Sequence, residues 1–209
     1  MIDLDHKSCA DEPMSVIILA GGKSSRMNTP KVWLPIYDQT TFLQHTIRLY
    51  KNAAIQNLVV VINSEFCEEP WKKNLEHLPD AVKIIPNRNP EAGRMYSIQL
   101  GLEYVKESDF VFIHNIDNPM VSGETIVHLK KKQCYGSVSI PMYLNKTGHP
   151  IILEAGLLKS RIEQASQNDT LKDLLNSIPK IIVPVNDPGI LANINTPHDY
   201  LMMLNGLVA

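Results

Sequence analysis

Short apolar runs rich in Val and Ile alternate along the chain with longer segments of helical period, the pattern of a largely parallel sheet covered on both faces. The first strand is expected at "SVIILA" (Ser15 to Ala20), the second at "NLVVVIN" (Asn57 to Asn63) and the third at "AVKIIP" (Ala81 to Pro86). "DFVFIHNID", "GSVSIPMY", the segment "GHPIILE" and "KIIVPV" (Lys180 to Val185) continue the series. Between them, "TFLQHTIRLYKNA" sets Phe42, Leu43, Thr46, Ile47, Leu49 and Tyr50 on one helical stripe, with threonines placed to cap it. "FCEEPWKKNLEHL" predicts a helix entered through Pro70, and "SIQLGLEYVKE" one with Ile98, Leu102 and Val105 in register and Ser97 in its first turn. Further helices are expected near Glu124 to Lys132, Leu157 to Ala165 and Leu171 to Asn176, and a last one begins with Pro197 at its first position. No repeat, low-complexity tract or linker splits the series, so the fold class is α/β: one three-layer α/β/α domain with a Rossmann-like, mostly parallel mixed sheet.

At 209 residues the chain is long enough for one sizeable core. Its 20 basic and 22 acidic side chains leave a formal charge of -2, so no global field favours nucleic acid or an anionic membrane, and any polyanion must be met locally. Cys9, Cys67 and Cys134 are dispersed and odd in number, against a disulfide framework or a structural zinc. Residues 1–13, "MIDLDHKSCADEP", carry acids where a signal peptide needs a basic and then an apolar stretch, and are read as a flexible leader to a domain over 14–209. No apolar run is long enough to span a bilayer, and a cytoplasmic protein, monomer or homodimer, is expected.

The chemistry concentrates in "VIILAGGKSSRMNTPK". Its "GKS" is not a P-loop: that motif needs a glycine where Ile17 stands, inside a strand. Nor is it the dinucleotide fingerprint, since Gly21 and Gly22 are adjacent and no third glycine follows, which disfavours a nicotinamide-dependent dehydrogenase. What remains is a strand end opening into two glycines and a cationic loop, the place where open α/β sheets bind ligands. Arg26 can grip a phosphate through two N–H groups and Lys31 can act as a point charge; Lys23 is equally readable as solvated.

"LAGGKSSRMNTPK" resembles the signature of the nucleotidyltransferases related to the molybdenum-cofactor guanylyl- and cytidylyltransferases, the MobA-like NTP transferases. The match covers Leu19, Ala20, Gly21, Gly22, Ser24, Arg26, Met27 and Lys31, with Asn28 where glycine is usual, a residue that tolerates the left-handed backbone. "EAGRMYSIQLGL", "IDNPMV", "GHPIIL" and "NINTPHDY" are similar to later landmarks of that family and follow in its order.

The resemblance implies a sheet of the nucleotide-diphospho-sugar transferase (GT-A) type and transfer of a nucleoside monophosphate from CTP or GTP to a small phosphorylated acceptor, a molybdopterin-type precursor among the candidates, with release of pyrophosphate. It implies Mg²⁺ held by Asp117, with Asn195 and Asn193 as further oxygen donors; two asparagines in place of aspartates bring no charge, which leaves open a nucleotide-binding module without turnover. Arg26 and Lys31 fall to the triphosphate, and the backbone of Leu19 to Gly22, with Ser24, Gly93 and Ser97, to the nucleotide. Asn63 could meet the base or simply turn the strand end. Gly148, His149 and Pro150 fall to the acceptor side, His149 as a wall of the pocket.

Overall fold

The first apolar run forms β1, Met14–Ala20, and every residue of it is buried. Such a strand needs cover on both faces, and its neighbours supply it. In the computed structural model, which describes residues 12–27, 29–36, 39–107, 109–166 and 169–206, β1 lies between β2 (Asn57–Asn63) and β4 (Phe110–Asn115) and is parallel to both. Strand β3 (Val82–Asn87) extends the parallel set beyond β2. On the other side, β7 (Ile151–Glu154) runs antiparallel to β4, and β5 (Val138–Tyr143) antiparallel to β7. The short β6 (Lys146–Thr147) pairs with β5 as a hairpin, and β8 (Lys180–Pro184) runs parallel to β5. Most of the expected leader, Cys9 and Asn28 lie outside the described residues; Cys67 is a free thiol.

Alternation along the central strands divides the core in two. Val16, Ile18, Val60 and Phe112 face helices α1 (Phe42–Asn52) and α3 (Gly123–Lys132), whereas Ile17, Val59, Val61 and Ile113 face α2 (Gly93–Leu102), α4 (Ala155–Glu163) and α5 (Leu171–Asn176). The result is the expected three-layer arrangement. Thr41 caps α1 in a reciprocal pair with Gln44, and Thr196 does the same with Asp199 for the last helix, α6 (Pro197–Leu204), entered through Pro197.

Three expectations need correction. The segment after β2 is not an α-helix: it forms 3₁₀ turns at Ser64–Cys67 and Lys72–His77, and the second buries none of its residues, so no apolar stripe drives a longer helix. Helix α2 starts at Gly93 rather than near Ser97, which places Ser97 in the second turn, and it ends at Leu102, so Val105 is buried beyond the helix. The strand read as running to Asp117 ends at Asn115, so Asp117 stands in the turn that follows.

The topology fixes where a ligand can bind. From β1 the chain moves through α1 to β2 and then β3, and α2 carries it back to β4 on the opposite side of β1. The carboxyl ends of β1 and β4 therefore border the crevice at which strand order reverses.

A polar chain crosses the floor of this crevice. His114, fully buried in β4, meets the Tyr50 hydroxyl at 3.0 Å through Nδ1 and the Asn118 carbonyl at 3.1 Å through Nε2. Because a carbonyl only accepts, Nε2 carries the proton and Nδ1 accepts from Tyr50. Burial holds the imidazole neutral, with its pKa pushed down to about 3.

Two outcomes test this packing. The unfolded chain protonates His114 below about 6.5 while the folded protein resists to about 3, so stability present above that window is lost as pH falls through it. About 2 kcal/mol should disappear between pH 6.5 and 5 from this group alone. Denaturation midpoints of a Tyr50→Phe, His114→Phe double variant should depend less on acid than those of the parent; an equal slope would contradict the assignment. Gly101 of α2 sits so close to β1 that a Cβ there would lie 2.6 Å from the Ile17 Cγ2. Gly101→Ala should destabilise, because overpacking of about 1–3 kcal/mol outweighs the gain of about 1 kcal/mol in helix propensity. A higher urea midpoint would show that the contact is looser.

Candidate active site

Beyond the end of β1 the backbone is shaped by what stands beside it. A Cβ on Gly21 would lie 2.8 Å from the Ser97 Oγ and 2.9 Å from the Asn87 Nδ2, so only glycine lets β1 and α2 close together here. Asn87, at the end of β3, donates from Nδ2 to the Ser97 Oγ at 3.1 Å and accepts the Asn89 N–H at 2.8 Å. Gly93, at the start of α2, has φ +80°, a conformation that favours glycine.

The cationic loop is built just as locally. Ser24 takes a left-handed backbone, φ +52°; its carbonyl accepts the Met27 N–H at 2.8 Å and its Oγ accepts the Lys31 N–H at 3.1 Å. Those two bonds fold the loop back over Lys31, which opens a 3₁₀ turn, Lys31–Trp33, anchored by the buried Val32 and Trp33. Lys23 points elsewhere and pairs with Glu91 on the surface.

The other side comes from the far end of the chain. Ile116 N–H donates to the Leu19 carbonyl at 3.1 Å, tying the turn after β4 to the end of β1, and Ile194 N–H donates to the Asp117 carbonyl at 2.8 Å. Asn195 is steadied by its N–H bond of 2.9 Å to the Asp199 Oδ2, part of the α6 cap. Its side-chain oxygen accepts from Lys31 Nζ at 2.7 Å and from Arg26 Nη2 at 3.3 Å. Arg26, Lys31 and Asn195, more than 160 residues apart in sequence, thus meet at one oxygen.

Between these walls lies a cavity of about 230 Å³, lined by Leu19 to Gly22, Ser24 and Lys31 from the loop, Gly93, Arg94 and Ser97 from α2, and Asn115 to Asp117 from β4 and its turn. Burial lowers the Lys31 pKa and Arg26 adds to that, while the negative charge of Asp117 opposes it, which places the ammonium within electrostatic reach of both. One carboxylate oxygen of Asp117, Oδ1, is buried without a hydrogen-bond partner. A buried bare carboxylate oxygen is costly unless something comes to meet it, and a hard divalent cation is one such partner. Among the described residues no group of three His, Cys, Asp or Glu side chains could hold a metal. An ion here would rest on Asp117, on amide oxygen from Asn195, and on ligands brought by a substrate, a donor set that suits Mg²⁺.

The remaining candidates are less central. Asn193 turns its oxygen to Asn118 Nδ2 at 3.3 Å and its nitrogen to the Leu191 carbonyl at 3.1 Å, away from Lys31. Asn63 is not among the residues lining the cavity: it is buried, caps the 3₁₀ turn after β2 by accepting the Glu65 N–H at 3.1 Å, and so positions Phe66, which does line it. Gly148, His149 and Pro150 join β6 to β7 rather than lining the cavity. The His149 N–H donates to the Ile190 carbonyl at 3.1 Å, and a Cβ on Gly148 would sit 2.2 Å from that same oxygen. Burial, with the nearby Arg94 guanidinium, pushes the His149 pKa down to about 4, so the ring is neutral at ordinary pH.

Sequence reasoning missed three residues that belong here. Arg94 lines the cavity, has no ion-pair partner among the described residues, and was visible only as the basic residue inside "GRMYS". Asn87 falls just past the third expected strand and Asn115 inside "DFVFIHNID", and only the sheet register brings them to the crevice, Asn87 beside Asn63 and Asn115 beside Leu19.

Known proteins share this fold. The chain is 28% identical over 194 residues to a probable molybdenum cofactor guanylyltransferase of Flavobacterium johnsoniae, covering 90% of this chain and 95% of that one. Among solved structures, a nucleotidyl transferase from Methanothermobacter thermautotroptrophicus superposes with a TM-score of 0.77 at 21% identity, over 93% of this chain and 97% of that one. The 4-diphosphocytidyl-2C-methyl-D-erythritol synthase of Anaerococcus prevotii superposes with a TM-score of 0.74 at 16% identity, over 94% and 98%. At those identities the structural likeness is one of fold. Residues 16–181 match the family described as the MobA-like NTP transferase domain. The chain belongs to that family, and it is a nucleotidyltransferase.

Proposed function

We propose that the protein uses Mg²⁺ to transfer a nucleoside monophosphate from GTP or CTP to a small phosphorylated acceptor, a molybdopterin-type cofactor precursor being the first candidate. The reading rests on one observation: Lys31 and Arg26 share the Asn195 oxygen, and Lys31 lines the same cavity as Asp117, one of whose carboxylate oxygens is buried without a partner. GTP is favoured by the guanylyltransferase named among the relatives, CTP by the likeness to a diphosphocytidyl-methylerythritol synthase.

The chemistry asks little covalent work of the protein. An acceptor phosphate oxygen attacks the α-phosphorus, one P–O bond forms, and the bond to the β-phosphate oxygen breaks with pyrophosphate leaving. Charge builds on the leaving group, so cations fixed beside it lower the barrier more than they tighten the ground state. Lys31 and Arg26 would serve that role by leaving the weak dipole of Asn195 for a polyanion, which would leave the amide oxygen free to help hold a metal. Mg²⁺ held by Asp117 and Asn195 would supply further neutralisation of phosphate charge. The acceptor already carries an ionised oxygen, so no general base is required, in keeping with the neutral His149 beside the site. The open space beside Gly22 leaves room for a base to lie against the β1 end, in the cavity that Ser97 also lines.

Three outcomes test the proposal. With Mg²⁺ and ligand at about 100 times its dissociation constant, the preferred nucleotide should stabilise the fold by about 2.7 kcal/mol in a thermal-shift series of the four ribonucleoside triphosphates. No shift with GTP or CTP would remove the donor assignment. Asp117→Ala should lower pyrophosphate release by about two orders of magnitude or more while circular dichroism stays unchanged. Turnover equal to the parent would exclude Asp117, and binding without release in the parent would favour the module reading. Asn195→Asp, which adds a charge at the shared oxygen, should tighten Mn²⁺ binding about tenfold in electron paramagnetic resonance titrations. Unaltered affinity would place the ion away from Asn195.

A further inference from the structure

Asn118 follows Asp117 and has no solvent exposure at all. Its Nδ2 donates to the Ala192 carbonyl at 3.1 Å and to the Asn193 Oδ1 at 3.3 Å, whereas its own Oδ1 is buried with no partner. The orientation is fixed by chemistry, because the Ala192 carbonyl can only accept. A leucine of similar volume would remove the unpaired Asn118 oxygen but deprive the Ala192 carbonyl and the Asn193 Oδ1 of this donor, so the fold bears a polar side chain here for what its amide nitrogen holds.

What it holds is the segment that carries Asn195. Two links weld residues 192–194 to the Asp117 turn: the Asn118 amide to Ala192 and Asn193, and the Ile194 N–H to the Asp117 carbonyl. On the other side Asn118 is anchored from below, its carbonyl accepting from His114, which is itself held by Tyr50 of α1. Asn193 is fixed at both ends of its amide, by Asn118 and by Leu191. The one side-chain oxygen of this segment that reaches the cations is Asn195 Oδ1.

We infer that Asn118 is a positioning residue, which acts through Asn193 and the backbone of Ala192 to set the separation between the Asp117 carboxylate and the Asn195 amide. Asn193 then serves as part of this clamp and not as a metal ligand. The inference rests on the site proposed above, and it makes a distinct claim: the spacing of the two oxygen donors is set from beneath by a residue that touches neither substrate nor metal.

The test compares Asn118→Ala and the milder Asn118→Ser with Leu129→Ala, a cavity variant in α3 chosen to lose comparable stability away from the crevice. Mn²⁺ affinity is read by electron paramagnetic resonance in the presence of GTP, and the Lys31–Asn195 contact by crystallography of the Asn118→Ser protein. The expected result is a loss of Mn²⁺ affinity of about tenfold or more in both Asn118 variants and none in Leu129→Ala, with the 2.7 Å contact broken or lengthened. Parental affinity in Asn118→Ser, or an equal loss in Leu129→Ala, would overturn the inference. Should the parent itself bind no Mn²⁺, the metal reading of the site fails, and the crystal structure still decides the clamp: an unmoved Asn195 contradicts it.

Discussion

One amide oxygen organises the proposed site. Asn195 Oδ1 accepts from both Lys31 and Arg26, and so joins the loop after the first strand to the segment before the last helix. Two like charges are thereby held close together by a partner that carries only a dipole. Such an arrangement is weakly satisfied and easily exchanged: in the proposed reaction a triphosphate would offer the cations full charges, and their departure would free an oxygen for a metal. The cationic cluster is in this sense preorganised for an anion, its geometry set by the Ser24 turn and the α6 cap before any ligand arrives.

The fold exists around that meeting point for topological reasons. β1 and β4 are buried on both faces, so their residues carry no chemistry beyond packing, and the polar groups emerge only where the strands stop. Gly21, Asn115 and Asp117 all lie at those carboxyl ends, at the reversal of strand order. Two polar residues stand inside these strands: Ser15, tied to Asp109 and Asn57, and His114, whose neutral ring braces the Asp117 turn from within the core.

Much of this was legible in the chain. Runs such as Leu58 to Ile62 and the stripe of α1 declare a covered parallel sheet, and Thr41, Thr196 and Pro197 mark helix starts by their capping chemistry. Arg26, Lys31, Asp117 and Asn195 could be drawn together only through the family resemblance, and the structure brings them to one place. The stretch before Leu78 misled because Pro70 and a run of charges imitate a helix start without an apolar face to bury. Asn87, Arg94, Asn115 and Asn118 stayed hidden for another reason: their significance lies in tertiary register, in which strand end faces which, and no local pattern encodes that. Asn193 and Asn195 look equivalent in "NIN", yet Asn118 takes the first oxygen and the cations take the second.

The most direct measurement is a crystal structure of the protein with Mg²⁺ and an α,β-methylene analogue of its preferred nucleotide, which cannot release pyrophosphate. The account predicts Lys31 and Arg26 on the phosphate chain, the metal between Asp117 and the Asn195 oxygen, and the base against the end of β1 beside Gly22. A nucleotide bound with Lys31 still seated on Asn195, or with no metal at Asp117, would contradict it.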